Sequence, residues 1–345
     1  MLNTLAKTIL SLIVAFLLLW QLPWLVNLVT ASSTHTKFTL YSSLANDFIV
    51  KEHPEGEGVR VTGALTGKTY TEAEGDSLLP LFFTSVLVSH GRMPDTVLGH
   101  AVTPHQIRQT NFNMRISPRD INANNVQLYQ LLESLPKRVD LEMPDDVFRF
   151  TDNGIEFIKM ETNQIKPEKS QRFTQALKEK GFQFPVLDAS GNPIVKEPYD
   201  EGYLMLDANH RLFQLKRCAG RPFVREFEVP DSITLAHVFI LEPTARQLRG
   251  LAVDTDHYVY VLTPDYRLVR TGIDSYKPKE ESLMIIGNLI DWTASVITSD
   301  TIRYYALDGT DYHKLNTYCC PLEKGFTLPG LHFTSDNDKF CYPRF

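Results

Sequence analysis

The sequence predicts a mainly β domain with a few helices, built from propeller-like repeated antiparallel hairpins and preceded by one N-terminal transmembrane helix. Three observations carry that expectation. Ile9 to Val29 is apolar and holds no charged residue. Three later stretches, Gly202 to Lys216, Leu251 to Gly272 and Ala294 to Leu315, each read as strand, turn and alternating strand. Their turns, DANH (207–210), TPDY (263–266) and DGTD (308–311), recur near the roughly 40–50 residues of a propeller blade. The third is composition. The chain has 345 residues, 43% hydrophobic and 22% charged, which is ordinary globular material for one large domain or two smaller ones and excludes a disordered chain.

At 1.5 Å per residue about 20 residues cross the roughly 30 Å hydrocarbon layer, so residues 9–29 suffice for one span. Trp20 and Trp24 suit an interface, while Gln21, Pro23 and Asn27 occupy the distal third. Pro23 removes a helical hydrogen bond there, so the second half kinks or is already leaving the apolar layer. The apolar stretch exceeds the about 7–15 residues of a signal-peptide core, which favours an uncleaved signal anchor. Cleavage stays open, because Val29-Thr30-Ala31 fits a small-residue site. Lys7 precedes the span, so the positive-inside bias places residues 1–8 in the cytoplasm and the body in the periplasm or outside. The expectation is a single-pass protein of the inner membrane.

Residues 30–37 form a polar stalk, and the body follows over 38–317. Phe38 to Ser42 and Asp47 to Lys51 read as strands. Val59 to Thr62 and Lys68 to Thr71 flank Ala64-Leu65-Thr66-Gly67 as a hairpin. The region from about 77 to 135 reads as a helical insertion. Ser77 to His90 is one apolar helix stopped by Gly91 and Pro94, and Val126, Leu128, Leu131, Leu132 and Leu135 give Asn124 to Leu135 helical spacing. A hairpin over Val147 to Met160 turns at Asn153-Gly154, and Glu168 to Lys180 is a helix ending at Gly181. The first hairpin pair and the Asn153-Gly154 hairpin supply further, divergent blades; a β-sandwich or mixed sheet is the alternative.

A net charge of −6 argues against nucleic acid as a partner. Phosphate-cradling, dinucleotide-binding, nucleophile-elbow and zinc-helix motifs are all missing from the sequence, and its histidines are scattered, so neither metal nor cofactor is expected. Two acidic clusters remain. Asp145 and Asp146, with Arg149 nearby, and Asp200 with Glu201 precede predicted strands, where loops of a propeller gather. Paired carboxylates there could bind a ligand or perform acid/base work on a glycan. The structural reading is that the aspartates open turns and Arg149 pairs with one of them. Asp254, Asp256, Asp308 and Asp311 resemble fragments of calcium loops without completing one, so turn chemistry explains them. Cys319 and Cys320 lie beside Cys341 in a tail spanning 318–345; a bridge from one of the pair to Cys341 would tie that tail down.

The blocks TLYSSLANDFIV, LPLFFTSVLVSHGRMPD, LEMPDDVFRF, KGFQFPV and YDEGYLMLD together resemble the Bacteroidota family described as domain of unknown function 4857, from about Phe38 to about Leu315. The resemblance implies an inner-membrane-anchored protein with an exported domain, and brings no catalytic residue. It also implies the company of ABC-transporter components. The expected role is a non-catalytic accessory or binding subunit of an ABC-type envelope transport complex, touching lipid through its helix and a permease as partner. An envelope enzyme using the loop carboxylates on a glycan, or a structural scaffold of the envelope, are the alternatives.

Overall fold

Apolar side chains on every side of the N-terminal run leave no amphipathic stripe, and they form one long helix, α1 (Leu2–Thr30), in the computed structural model. The structure describes residues 2–30, 37–54, 58–123, 126–135, 141–322 and 328–331. α1 is the one helix among them long and apolar enough to cross a membrane.

The body begins with a four-stranded meander, sheet I: β1 (Phe38–Ser42), β2 (Asp47–Glu52), β3 (Arg60–Gly63) and β4 (Thr69–Tyr70). Asp47, fully buried, sets the predicted hairpin: its carboxylate accepts the N–H groups of Leu65 (2.8 Å) and Thr66 (3.1 Å) and the Thr66 hydroxyl (2.6 Å). Thr71 and Glu74 then form a reciprocal N-terminal cap on α2 (Glu72–Leu78). The single helix expected over Ser77 to His90 is instead broken into α2 and α3 (Thr84–Ser89). Pro80 is the cause, because its ring drives Leu79 out of helical conformation (φ −122°, ψ 54°). Gly91, at φ 64°, stops α3 as expected.

A small hairpin of β5 (Thr96–Val97) and β6 (His100–Ala101), then α4 (Pro104–Thr110), lead to β7 (Phe112–Ile116) and α5 (Pro118–Asn122). Residues 126–135 are extended, not helical. Tyr129 exchanges both backbone hydrogen bonds with Phe148 (2.8 and 2.7 Å), and its ring packs on Phe148, Phe150 and Tyr203. The adjacent pair Leu131 and Leu132, both buried, mimicked a helical stripe, whereas an extended chain sends neighbours to opposite sides.

Sheet II holds β8 (Asp146–Thr151), β9 (Gly154–Lys159) and β10 (Gln164–Ile165), backed by α6 (Pro167–Glu179). Its hairpin is where the sequence places it, but the turn is not the one expected. Thr151 pairs with Gly154, so Asp152 and Asn153 are the central residues, and neither Asn153 nor Gly154 has positive φ. Gly154 is needed for space: a Cβ there would sit 2.7 Å from Thr174 Oγ1 on α6.

Sheet III contains β11 (Asp188–Gly191), β12 (Tyr203–Leu206), β13 (Leu212–Cys218) and β14 (Arg221–Glu226). Sheet IV contains β15 (Leu235–Ile240), β16 (Gly250–Asp254), β17 (Val259–Leu262) and β18 (Leu268–Arg270). Sheet V contains β19 (Ser282–Gly287), β20 (Asp291–Ile297), β21 (Thr301–Asp308) and β22 (Lys314–Pro321), with the early strand β7 added against β19. Three turns share one construction. Asp207, Asp254 and Thr263 each accept the backbone N–H four residues on through a side-chain oxygen (2.9, 2.8 and 3.1 Å). Each is followed three residues later by a positive-φ residue, respectively His210, His257 and Tyr266. Asp207 and Asp254 are thereby accounted for as hairpin chemistry.

Side chains alternate along these strands, and sheets I, III, IV and V bury residues on both faces. Phe148, Phe157, Tyr203 and Phe213 join sheets II and III; Leu204, Leu206, Val238 and Tyr260 join III and IV; Leu251, Val261, Ile285 and Trp292 join IV and V. Tyr41 and Phe48 of sheet I meet Tyr304 and Ala306 on the other face of sheet V. The result is a propeller-like stack of antiparallel sheets.

Candidate functional site

The edge strands β7, β11 and β15, together with Gln127, Tyr129 and Phe150, line a cavity of about 850 Å³. Its wall mixes apolar groups such as Ile116, Val238 and Phe239 with Arg115, Asp188, Asn192, His237, Glu242 and Lys279. Asp188 is committed: its Oδ2 accepts the Val238 N–H at 2.9 Å and lies 3.6 Å from His237 Nδ1.

Glu242 is the unusual group. One carboxylate oxygen accepts the Glu201 N–H and the other accepts Asn192 Nδ2 (2.9 Å). Those two neutral donors do not offset its desolvation, and burial, aided by the charges of Asp200 and Glu201, pushes its pKa up to about 7. Nothing in the local sequence Leu241-Glu242-Pro243 marks it. It acquires its environment only when β15 packs on β11 and on the loop before β12.

Asp200 and Glu201, the latter joined to Glu242 through its N–H, line a separate, smaller recess of about 170 Å³ with Ser134, Lys216, Cys218 and Arg246. Glu201, buried, is ion-paired with both Lys216 and Arg249 and accepts Gln214 Nε2 at 2.7 Å. Despite its burial, these partners hold its carboxyl below the usual range. Asp200 accepts the Ser134 hydroxyl (3.2 Å) and the Gly202 N–H (3.1 Å), and burial raises its pKa. Arg249 and Arg225 both stack on Tyr266, whose hydroxyl donates to Gln214 Oε1 at 2.6 Å.

The other predicted cluster lies elsewhere. Asp145 and Asp146 precede and open β8; Lys166 bonds both (2.7 and 2.8 Å), and Lys169 bonds Asp146 at 2.7 Å while lying over the Phe157 ring. These contacts fasten α6 to sheet II. Arg149 pairs with Glu156, its cross-strand neighbour, at 2.7 Å, and not with an aspartate as the sequence reading had it. The structure therefore brings Asp200 and Glu201 together but leaves Asp145, Asp146 and Arg149 outside that recess. Cys319 and Cys320 are neighbours on β22, and Cys341, their expected partner, lies outside the described residues. Asp308, Asp311 and His313 gather at an exposed turn, where the aspartate oxygens already accept backbone N–H groups.

Fold and site together define a mainly antiparallel, propeller-like β domain behind an apolar N-terminal helix, with a cavity between sheet edges that carries one neutral-range carboxylate. The chain belongs to the family described as Domain of unknown function (DUF4857), whose model matches residues 38–307, as the sequence blocks indicated. No curated protein matches it. Among solved structures, the Dos1 propeller is similar at 11% identity over 53% of this chain and 45% of its own (TM-score 0.28). The Myceliophteria thermophila Cps50 (Swd1) β-propeller domain is similar at 12% over 62% and 61% (TM-score 0.29), and apo AztD from Citrobacter koseri at 6% over 81% and 70% (TM-score 0.24). The chain thus spans less than two thirds of the first two, and likenesses at these scores assign no function.

Proposed function

We propose that this chain is a non-catalytic binding subunit held at the inner membrane by α1, with its β-rich body on the exported side as an accessory of an ABC-type transport complex. The observation that favours binding is the contrast between the cavity and the recess. The four carboxylates singled out from sequence are committed to lysines, arginines or backbone N–H groups, while the cavity of about 850 Å³ has the size and mixed lining of a ligand site. The permease partner comes from the family resemblance. Purification of the full-length chain in mild detergent, with mass spectrometry of what accompanies it, tests the reading. Stoichiometric permease and ATPase are expected; recovery of the chain alone defeats the transport version.

One observation favours an envelope enzyme instead: Glu242, poised near neutral pH on the cavity wall, is the carboxyl a general acid would need. Under that reading turnover of an envelope glycan is abolished by Glu242→Gln and untouched by Asp145→Asn. Absence of turnover on a panel of envelope glycans excludes it.

A further inference from the structure

Pro23 carries no N–H, so the carbonyl four residues earlier, that of Leu19, has no helical donor. Asn27, four residues beyond Pro23, adds a side-chain amide to the same side of the helix. In lipid neither group could turn to water, and each needs a partner from protein.

The partner is the chain's own C-terminal region. Leu331 donates its N–H to Leu19 O at 3.2 Å. Leu328 donates its N–H to Asn27 Oδ1 at 2.6 Å and accepts Asn27 Nδ2 on its carbonyl at 3.2 Å. Between them Gly330 lies flat on Pro23: a Cβ on it would stand 2.5 Å from the proline ring and 3.3 Å from Leu19 O. Pro23 is buried while its neighbours Leu22 and Trp24 are 48% and 59% exposed. The composition fits the place, since Pro329 brings no donor to satisfy, Gly330 permits the close approach, and both leucines are apolar.

We propose that Leu328–Leu331 is a second element of the membrane anchor, entering the bilayer beside α1 and filling the polar notch formed by Leu19, Pro23 and Asn27. From Asn27 to Leu19 the helix advances about 12 Å, so the segment follows α1 for about two turns. Two consequences follow. The arrangement requires the N-terminal helix to be retained in the mature chain, because its removal would strip these partners away. The notch is closed to a permease helix, which must then meet α1 on another face. The inference goes beyond the accessory-subunit reading and is tested apart from it.

The experiment uses the full-length chain in native membranes, with a photo-reactive residue in place of exposed Pro329. After irradiation, mass spectrometry is expected to find position 329 joined to the 15–27 peptide of the same chain, with isotope-mixed copies showing no inter-chain product. Gly330→Leu, which collides with Pro23, should lower the yield several-fold while thermal unfolding of the body is unchanged. As a second route, Asn27→Cys with Leu328→Cys, in a chain whose native cysteines are serine, should give a reducible intramolecular bridge that Leu12→Cys with Leu328→Cys does not. Cross-links to lipid only, to another protein or to a second copy overturn the proposal. So does an N-terminus found by sequencing to begin after Val29. If Gly330→Leu fails to fold, the cross-link in the parent chain still decides.

Discussion

Replacing Glu242 by Gln isolates the electrostatic cost of burying its carboxylate. The amide keeps an oxygen for the Glu201 N–H, and Asn192 can rotate its own amide to present its oxygen to the new NH2 group. Only the charge is lost. The folded-state pKa of Glu242 stands at about 7 against an ordinary 4.5. Between those values the folded chain holds a proton that the unfolded chain has released, so stability falls as pH rises through the window. At 1.36 kcal/mol per pH unit the full cost above pH 7 is about 2–3 kcal/mol. At about 2 °C per kcal/mol for a chain of this size, Glu242→Gln should melt about 4–6 °C above the parent at pH 8 and show no gain at pH 4.5. Differential scanning fluorimetry of both chains in one detergent across that range reads it directly. A difference independent of pH, or a glutamate carboxyl carbon at this position titrating below pH 5 by NMR, would refute the reasoning.

Asp146→Ala should cost about 3–5 kcal/mol because it strands Lys169, whose amine burial already disfavours as a charge, whereas exposed Asp145→Ala should cost under about 1 kcal/mol. Urea midpoints of the two variants make the comparison. Gly202→Ala should cost more than about 3 kcal/mol or prevent folding, since φ is +70° and a Cβ would lie 2.1 Å from the Leu215 carbonyl. A variant melting within 2 °C of the parent contradicts that geometry. Gly154→Ala should lose about 1–3 kcal/mol through collision with Thr174 and regain part of it with Thr174→Ser. Loss without any rescue would point back to a turn that requires glycine for its backbone.

The hairpins were legible because their determinants are local. Asp207 and Asp254 need only residues up to four positions on to build a turn, and the alternation around them states which side chains go inward. The errors are also physical. Pro80 sits inside a run apolar enough to pass for one helix, and a single ring outweighs that periodicity. Residues 126–135 carry helical spacing, but the free edge at Phe148 supplies backbone partners that spacing cannot reveal. β7 was invisible as a strand of sheet V, since its partner β19 lies far along the chain. Sequence reading singled out Asp200 and Glu201, which line the neighbouring recess and not the cavity, and gave no sign of Glu242: its environment is assembled from Asn192, Glu201 and β15, and only the fold makes them neighbours.

Among the described residues, several polar groups that break the apolar pattern are bound by a matched internal partner. Asp47 and Asp207 hold turns, Asp146 holds α6, and Glu201 lies between Lys216 and Arg249. Asn27 follows the same logic inside the helix, with the C-terminal segment supplying both halves of its hydrogen bonding. Glu242 departs from it. Its carboxylate meets neutral donors and two acidic neighbours on the wall of the cavity of about 850 Å³, and its proton affinity rises accordingly. A group in that condition is stabilised by whatever brings it a positive charge or a further donor. A ligand with an amine or a strong hydrogen-bond donor would therefore bind more tightly above pH 7 than below it, and that pH dependence would vanish in Glu242→Gln.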